Sequence, residues 1–145
     1  HFLMKQMLCQ MEKQGEGSIL NVASSAGLLP AGPYMATYYA TKSYVTSLTR
    51  AVALELKEKK SNVYVGALCP GPVDTEFNKV ANVEFAIPSI TPTYCASYAI
   101  RKMKKRKIVI VPKNKMKVLA FISRVLPQSL VIRMTARPQK KKRSR

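Results

Sequence analysis

Tyr38 and Lys42 stand four residues apart in a segment whose apolar residues recur at helical spacing, so a phenol and an ammonium share one helix face. An unperturbed tyrosine gives up its proton near a pH of about 10, and a neighbouring cation stabilises the phenolate, which suits the pair to general acid/base work. Upstream, Ser24 and Ser25 close a short apolar run, where a hydroxyl can donate to a reacting oxygen in the same crevice. Each residue alone has a plainer reading: a packed aromatic at a helix start, or a serine that caps a turn. Other chemistries are excluded. His1 is the sole histidine, which leaves neither a serine-histidine triad nor a histidine-bearing zinc site. Cys9, Cys69 and Cys95 form no CxxC pair and sit among apolar or small neighbours, so three reduced, buried thiols and no metal are expected.

The elements that must position these groups follow from periodicity. Phe2, Leu3, Met7, Leu8 and Met11 predict a helix that ends near Gln14, before Gly15 and Gly17. Ser18 to Ala23 is a short apolar run bounded by Gly17 and by Ser24-Ser25-Ala26-Gly27, as a buried parallel strand would be. After a loop holding Pro30, Gly32 and Pro33, Val45, Leu48, Val52 and Leu56 fall on one face of a helix from Tyr38 to about Lys59. Val63 to Leu68 is a second buried strand, stopped by Cys69-Pro70-Gly71-Pro72. Thr91-Pro92 is an N-cap with proline at the first helical position, opening a helix through Ala96, Ile100 and Met103. Ile108 to Val111 is a third strand, closed by Pro112. This alternation predicts an α/β fold, amounting to half of a doubly wound parallel sheet, with no glycine-rich turn to hold a pyrophosphate on a helix N-terminus. The chain therefore reads as the C-terminal part of something longer.

The 145 residues, 47% apolar, suffice for one core, and their net charge of +18 is unevenly spread. Residues 1–100 hold 8 Lys/Arg and all 7 Asp/Glu, whereas residues 101–145 hold 17 Lys/Arg and no acid. A near-neutral body over residues 1–112 followed by a basic amphipathic tail over residues 113–145 is the expected organisation. Within that tail, Val118, Leu119, Phe121, Ile122, Val125 and Leu126 lie amid cations and Phe121 is the only aromatic of residues 101–145, a pattern closer to the surface of an anionic membrane than to nucleic acid. Pro127 should split the stretch into two short amphipathic pieces, and no apolar run reaches the length of a membrane span. A non-catalytic basic module for anionic membrane or nucleic acid is the alternative to an enzyme.

The run Gly17-Ser18-Ile19-Leu20-Asn21-Val22-Ala23-Ser24-Ser25-Ala26-Gly27, then Tyr38-x-x-x-Lys42, then Cys69-Pro70-Gly71-Pro72-Val73-Asp74-Thr75, resembles the short-chain dehydrogenase/reductases in order and spacing. The likeness covers roughly residues 1–112, and the tail adds a looser one to membrane-associated 3-ketoacyl and 17β-hydroxysteroid members. The resemblance implies the C-terminal part of a Rossmann-type fold and an oxidoreductase that uses NAD or NADP to interconvert a carbonyl and a secondary alcohol. It implies Tyr38 as proton donor or acceptor, Lys42 as partner of both the tyrosine and the nicotinamide ribose, and a serine as hydrogen-bond donor to the reacting oxygen. Counting from Asn21 and Gly27 selects Ser24 for that role; counting back thirteen residues from Tyr38 selects Ser25. Pro70 and Gly71 would let the backbone approach the cofactor, with Val73 and Thr75 also against it. The family's catalytic asparagine falls before Phe2 and the glycine-rich turn is missing, so the chain alone is expected to be inactive. Phe77, Val80, Val83, Phe85 and Ile87 fall where the family places a substrate lid and suit an apolar substrate: ketoacyl, steroid-like or another lipid. A homo-oligomer through the helices near residues 1–14 and 38–59 and a cytoplasmic location, peripheral to a membrane, complete the expectation.

Overall fold

The computed structural model describes residues 1–76 and 88–143, the segment 137–143 by its backbone only. The expected lid residues Phe77 to Ile87 and the side chains of the terminal basic run therefore lie outside the described residues. The elements are α1 (Phe2–Gln14), β1 (Gly17–Val22), a 3-10 turn (Ser25–Leu28), α2 (Ala36–Glu58), β2 (Val63–Leu68), α3 (Pro92–Lys104), β3 (Val109–Ile110), α4 (Asn114–Val125) and α5 (Gln128–Arg143). The three strands among the described residues are all parallel, in the order β1-β2-β3. β1 and β2 pair along their whole length, from Gly17 opposite Val63 to Val22 opposite Leu68.

Local chemistry explains the boundaries. α1 stops where Gly15 takes a left-handed φ of 81° and its N–H closes on the Glu12 carbonyl, a conformation that costs glycine little. α3 starts as expected, with the Thr91 hydroxyl accepting from the Tyr94 N–H at 3.3 Å and proline in the first turn. β3 is shorter than the expected Ile108–Val111. Pro70 ends β2, its neighbour among the described residues, so pairing is confined to Ala67 opposite Val109 and Leu68 opposite Ile110.

β2 is buried at all six positions because helices cover both faces of the sheet. On one face, Val63 and Val65 pack with Met4, Leu56, Leu8, Met11, Leu48 and Val52 of α1 and α2. On the other, Leu68 and Ile110 pack with Cys95, Ala99, Tyr98 and Met103 of α3. A third cluster, Ala23, Ala67, Cys69, Val111 and Met116, sits at the C-terminal ends of the strands beneath α4.

Three expectations about burial are corrected. Phe2 and Leu3 are 76% and 73% exposed, because the inner face of α1 runs through Met4, Leu8 and Met11 at helical spacing and leaves the first two residues outside it. Cys9 is exposed for the same reason, although Cys69 and Cys95 are buried. The inner face of α3 runs through Cys95 and Ala99, one residue before the Ala96–Ile100 pair singled out above, and Ile100 is exposed. Conversely, Thr46 and Thr49 of α2 are fully buried at no hydrogen-bonding cost, because their hydroxyls donate to the carbonyls of Lys42 and Val45 at 2.8 and 2.7 Å.

Candidate active site

Residues 15 to 45 positions apart in sequence meet at the C-terminal end of the sheet. β1 and β2 continue to bond after their strand geometry ends: Ala23 N–H donates to the Leu68 carbonyl and Ser25 N–H to the Pro70 carbonyl, each at 2.8 Å. These two bonds hold Ser24 and Ser25 beside the Pro70-Gly71 turn. Ser24 is extended, buried, and caps the 3-10 turn, its Oγ accepting from the Ala26 N–H at 3.2 Å. That bond uses an acceptor lone pair and leaves the hydroxyl proton to be donated elsewhere. Ser25, half-buried, is the first residue of the turn.

The turn docks on the helix that carries the phenol. A Cβ built on Gly27 would run into the Lys42 carbonyl and the Thr46 hydroxyl, so only glycine lets the chain approach α2 this closely. α2 begins at Ala36, two residues before Tyr38, after a loop in which Tyr34 takes a φ of 68°. Tyr38 and Lys42 are both half-buried and share a face, with the Lys42 Nζ 5.8 Å from the centre of the Tyr38 ring. The same ammonium donates to the Val22 carbonyl, the last of β1, at 3.2 Å, which ties the helix to the strand end. The Tyr39 ring meets that of Tyr38 edge-on, at 6.3 Å between centres.

Beneath these groups the Cys69 sulphur lies 3.8 Å from the Thr46 hydroxyl. Burial pushes the Cys69 thiol up, against the opposing influence of Thr46 and the Arg50 cation, so it stays a neutral packing group and not a nucleophile. Burial in turn lowers the Arg50 guanidinium, with Arg124 of α4 adding to the effect. Gly71 faces Met116: a Cβ there would stand 3.0 Å from the Met116 Cγ. Past Gly71, Val73 bridges Ile90 in parallel: the Asp74 N–H donates to the Ile90 carbonyl at 2.9 Å and the Ile90 N–H to the Pro72 carbonyl at 3.0 Å. Thr75 is exposed. Gly27 entered the sequence reasoning only as a landmark for the serines, and Thr46 and Met116 did not enter it. The position of Gly27 beside the serines and the four-residue step from Lys42 to Thr46 were the available signals for the first two.

The site thus assembles a phenol, an ammonium, two serines and a proline-glycine turn at the mouth of a parallel sheet, where ligands of open α/β folds collect. Such a set fits the nicotinamide and ribose end of a dinucleotide, since it offers a cation and a close backbone turn, and no glycine-rich strand-to-helix turn for a pyrophosphate occurs in the 145 residues. An open polar cavity of about 500 Å³, lined by Gln14, Glu16, Gly17, Ser18, Asn62 and Arg106, lies at the opposite end of the strands and contains none of these groups.

Comparison with known proteins agrees with this architecture. The short chain dehydrogenase family matches residues 1–84. The bovine (Bos taurus) dehydrogenase/reductase SDR family member 4 is 35% identical over 103 residues, which is 71% of this chain and 35% of that protein. Among solved structures, a 7beta-hydroxysteroid dehydrogenase superposes with a TM-score of 0.75 at 22% identity, over 91% of this chain and 51% of the other. A short chain dehydrogenase from Burkholderia cenocepacia, in complex with NADP, gives 0.67 at 26% identity over 83% and 48%. The chain spans about half the length of these structures and about a third of the curated relative. With the family match over more than half of its residues, the chain belongs to the short-chain dehydrogenase family.

Proposed function

We propose that the chain is the catalytic C-terminal part of an NAD- or NADP-dependent oxidoreductase that interconverts a carbonyl and a secondary alcohol. The observation that carries this reading is the stacking of Lys42 on Tyr38 at the strand end where Ser24, Ser25 and Pro70 are held together. The NADP bound by the Burkholderia relative supports the cofactor assignment. Bound nicotinamide supplies or accepts the hydride. Tyr38 gives its hydroxyl proton to the substrate oxygen during reduction and takes one back during oxidation. Lys42 holds positive charge beside the phenolate so formed and reaches the ribose hydroxyls. Ser24 orients the reacting oxygen, since its Oγ accepts from the Ala26 N–H through one lone pair and keeps its proton to donate; Ser25 is the competing donor. Pro70, Gly71, Val73 and Thr75 line the nicotinamide side.

The substrate we propose is apolar, a ketoacyl, steroid-like or other lipid, on the strength of Phe77, Val80, Val83, Phe85 and Ile87 following the proline-glycine turn. Residues 113–145 then act as a peripheral contact for an anionic membrane surface, a reading favoured by their charge and by exposed Phe121 and Val125. Among the described residues no helix is long and apolar enough to cross a membrane.

The test is made in an active protein that joins this chain to a glycine-rich N-terminal half. Tyr38→Phe should lower turnover by roughly two orders of magnitude or more, with cofactor affinity retained. Ser24→Ala and Ser25→Ala should differ, Ser24→Ala being the more damaging. Near-normal turnover of a folded Tyr38→Phe protein would refute the reading.

A further inference from the structure

α4 has two faces of opposite purpose. At about 100° per residue, Met116, Ala120 and Ser123 lie on one side of the helix, and all three are buried. Val118, Phe121, Ile122 and Val125 fall on the opposite side at the spacing i, i+3, i+4, i+7, and are 56%, 69%, 42% and 71% exposed. Four large apolar side chains on one stripe are an uncovered surface and not scattered exposure. Leu130 and Met134, one turn apart on α5, are exposed as well, while Val131 between them is buried.

Cations flank the stripe on both sides: Lys115 on one, Lys117 and Arg124 on the other. Lys117 also reaches α3, where its Nζ lies 3.2 Å from the Tyr98 hydroxyl. Around that single ring stand three cations, with Arg101 and Lys102 5.4 Å and Lys117 5.8 Å from its centre. Residues 85–145 contain no aspartate or glutamate, so nothing in this part of the sequence neutralises them. Like charges gathered round one tyrosine repel one another unless an external anion joins them.

We infer that α4, with the Tyr98 edge of α3, is the face on which the protein lies against an anionic bilayer, and that this face is the outer wall of the catalytic crevice. The stripe enters the headgroup boundary while Lys115, Lys117, Arg124, Arg101 and Lys102 meet lipid phosphates. A bilayer offers an apolar phase and negative charge together; a nucleic acid offers the charge without a sink for Phe121 and Val125, and a second copy of the chain brings the same positive charge. The inner face of α4 closes the strand ends. Met116 stands against Gly71, and Met116 and Leu119 pack with Ala23, Cys69, Val111 and Leu28. Docking the outer face therefore sets the mouth of the site beside the lipid phase. The inference rests on the membrane contact proposed above and deepens it by naming the residues and the orientation.

The chain contains no tryptophan, so a single one introduced reports its own surroundings. Phe121→Trp and, as a control on α2, Leu54→Trp keep apolar character at exposed positions. With vesicles of phosphatidylcholine and phosphatidylserine at low salt, the fluorescence of Phe121→Trp should shift to the blue and that of Leu54→Trp should not; pure phosphatidylcholine should shift neither. In co-sedimentation, Phe121→Glu should weaken anionic vesicle binding by roughly tenfold or more, the scale expected for losing one buried large side chain. Deletion of residues 140–145 should weaken it less than Phe121→Glu does. No pelleting at low salt, pelleting indifferent to Phe121→Glu, equal shifts at both tryptophans, or capture by duplex DNA without vesicle binding would each overturn the inference. None of these readouts involves turnover, so their failure is distinct from failure of the Tyr38→Phe test.

Discussion

Gly27→Ala isolates the contact that joins the serine turn to α2, the helix that carries Tyr38 and Lys42. The new methyl group would overlap the backbone carbonyl of Lys42 and the hydroxyl of Thr46. The first is a fixed atom of α2 and the second is locked by its own bond to that carbonyl at 2.8 Å, so neither can move alone. The 3-10 turn must back away from α2. Overpacking of this kind costs about 1–3 kcal/mol, while replacing glycine by alanine restricts the unfolded chain and returns about 0.4–1 kcal/mol. The overlap wins, and a net loss of about 1–2 kcal/mol is expected. With a urea dependence of about 1–3 kcal/mol per molar, the unfolding midpoint of the 145-residue chain, followed by circular dichroism, should fall by roughly 0.3–2 M. Because the displaced turn carries Ser24, turnover in the active protein should fall further than the fraction folded does. A midpoint equal to that of the parent chain would show that the turn does not dock on α2, and with it would go the argument that Ser24 and Lys42 are held in one constellation.

Thiol reactivity should divide the cysteines: in the native chain iodoacetamide should add once and quickly, at exposed Cys9, whereas Cys69 and Cys95 should react only in denaturant, as mass spectrometry of the adducts will report. Early modification of Cys69 would contradict its burial. Stability should fall as pH rises. Burial raises the Cys69, Cys95 and Tyr64 groups in the folded state, so from about pH 8.5 for the thiols and about pH 10 for the phenol the unfolded chain releases protons that the native chain keeps. Urea midpoints measured from about pH 7 to about pH 10 should decline through that window, and a rising midpoint would be inconsistent with the shifts.

How much of this was legible beforehand depended on whether a residue's partner was near it in sequence. β2 could be read from Val63 to Leu68 because a strand covered on both faces is a continuous apolar run, and Pro70 marks its end. The Tyr38–Lys42 pair was legible because helix geometry alone brings i and i+4 together. Burial on α1 was not, since hydropathy ranks Phe2 above Met4 and only packing against β2 and α2 selects Met4. Thr46 and Thr49 look like surface residues to any hydropathy scale; they enter the core because each bonds a carbonyl of its own helix. The apolar stretch of residues 118–126 was visible as amphipathic, and Pro127 does lie between α4 and α5. That the other face of α4 covers the strand ends was not visible, because Gly71 and Ala23 lie 45 and 93 residues before Met116.

β1 pairs with β2 along one side, and among the described residues its other side pairs with no strand, leaving Val22 63% exposed beside the Lys42 anchor. A strand with one bare ladder of N–H and C=O groups is a template for another chain segment. Whatever strand completes it need not be joined covalently, because pairing in the plane of the sheet asks only for a matching run of extended backbone. At high concentration and without such a mate, the same edge invites chain-to-chain stacking.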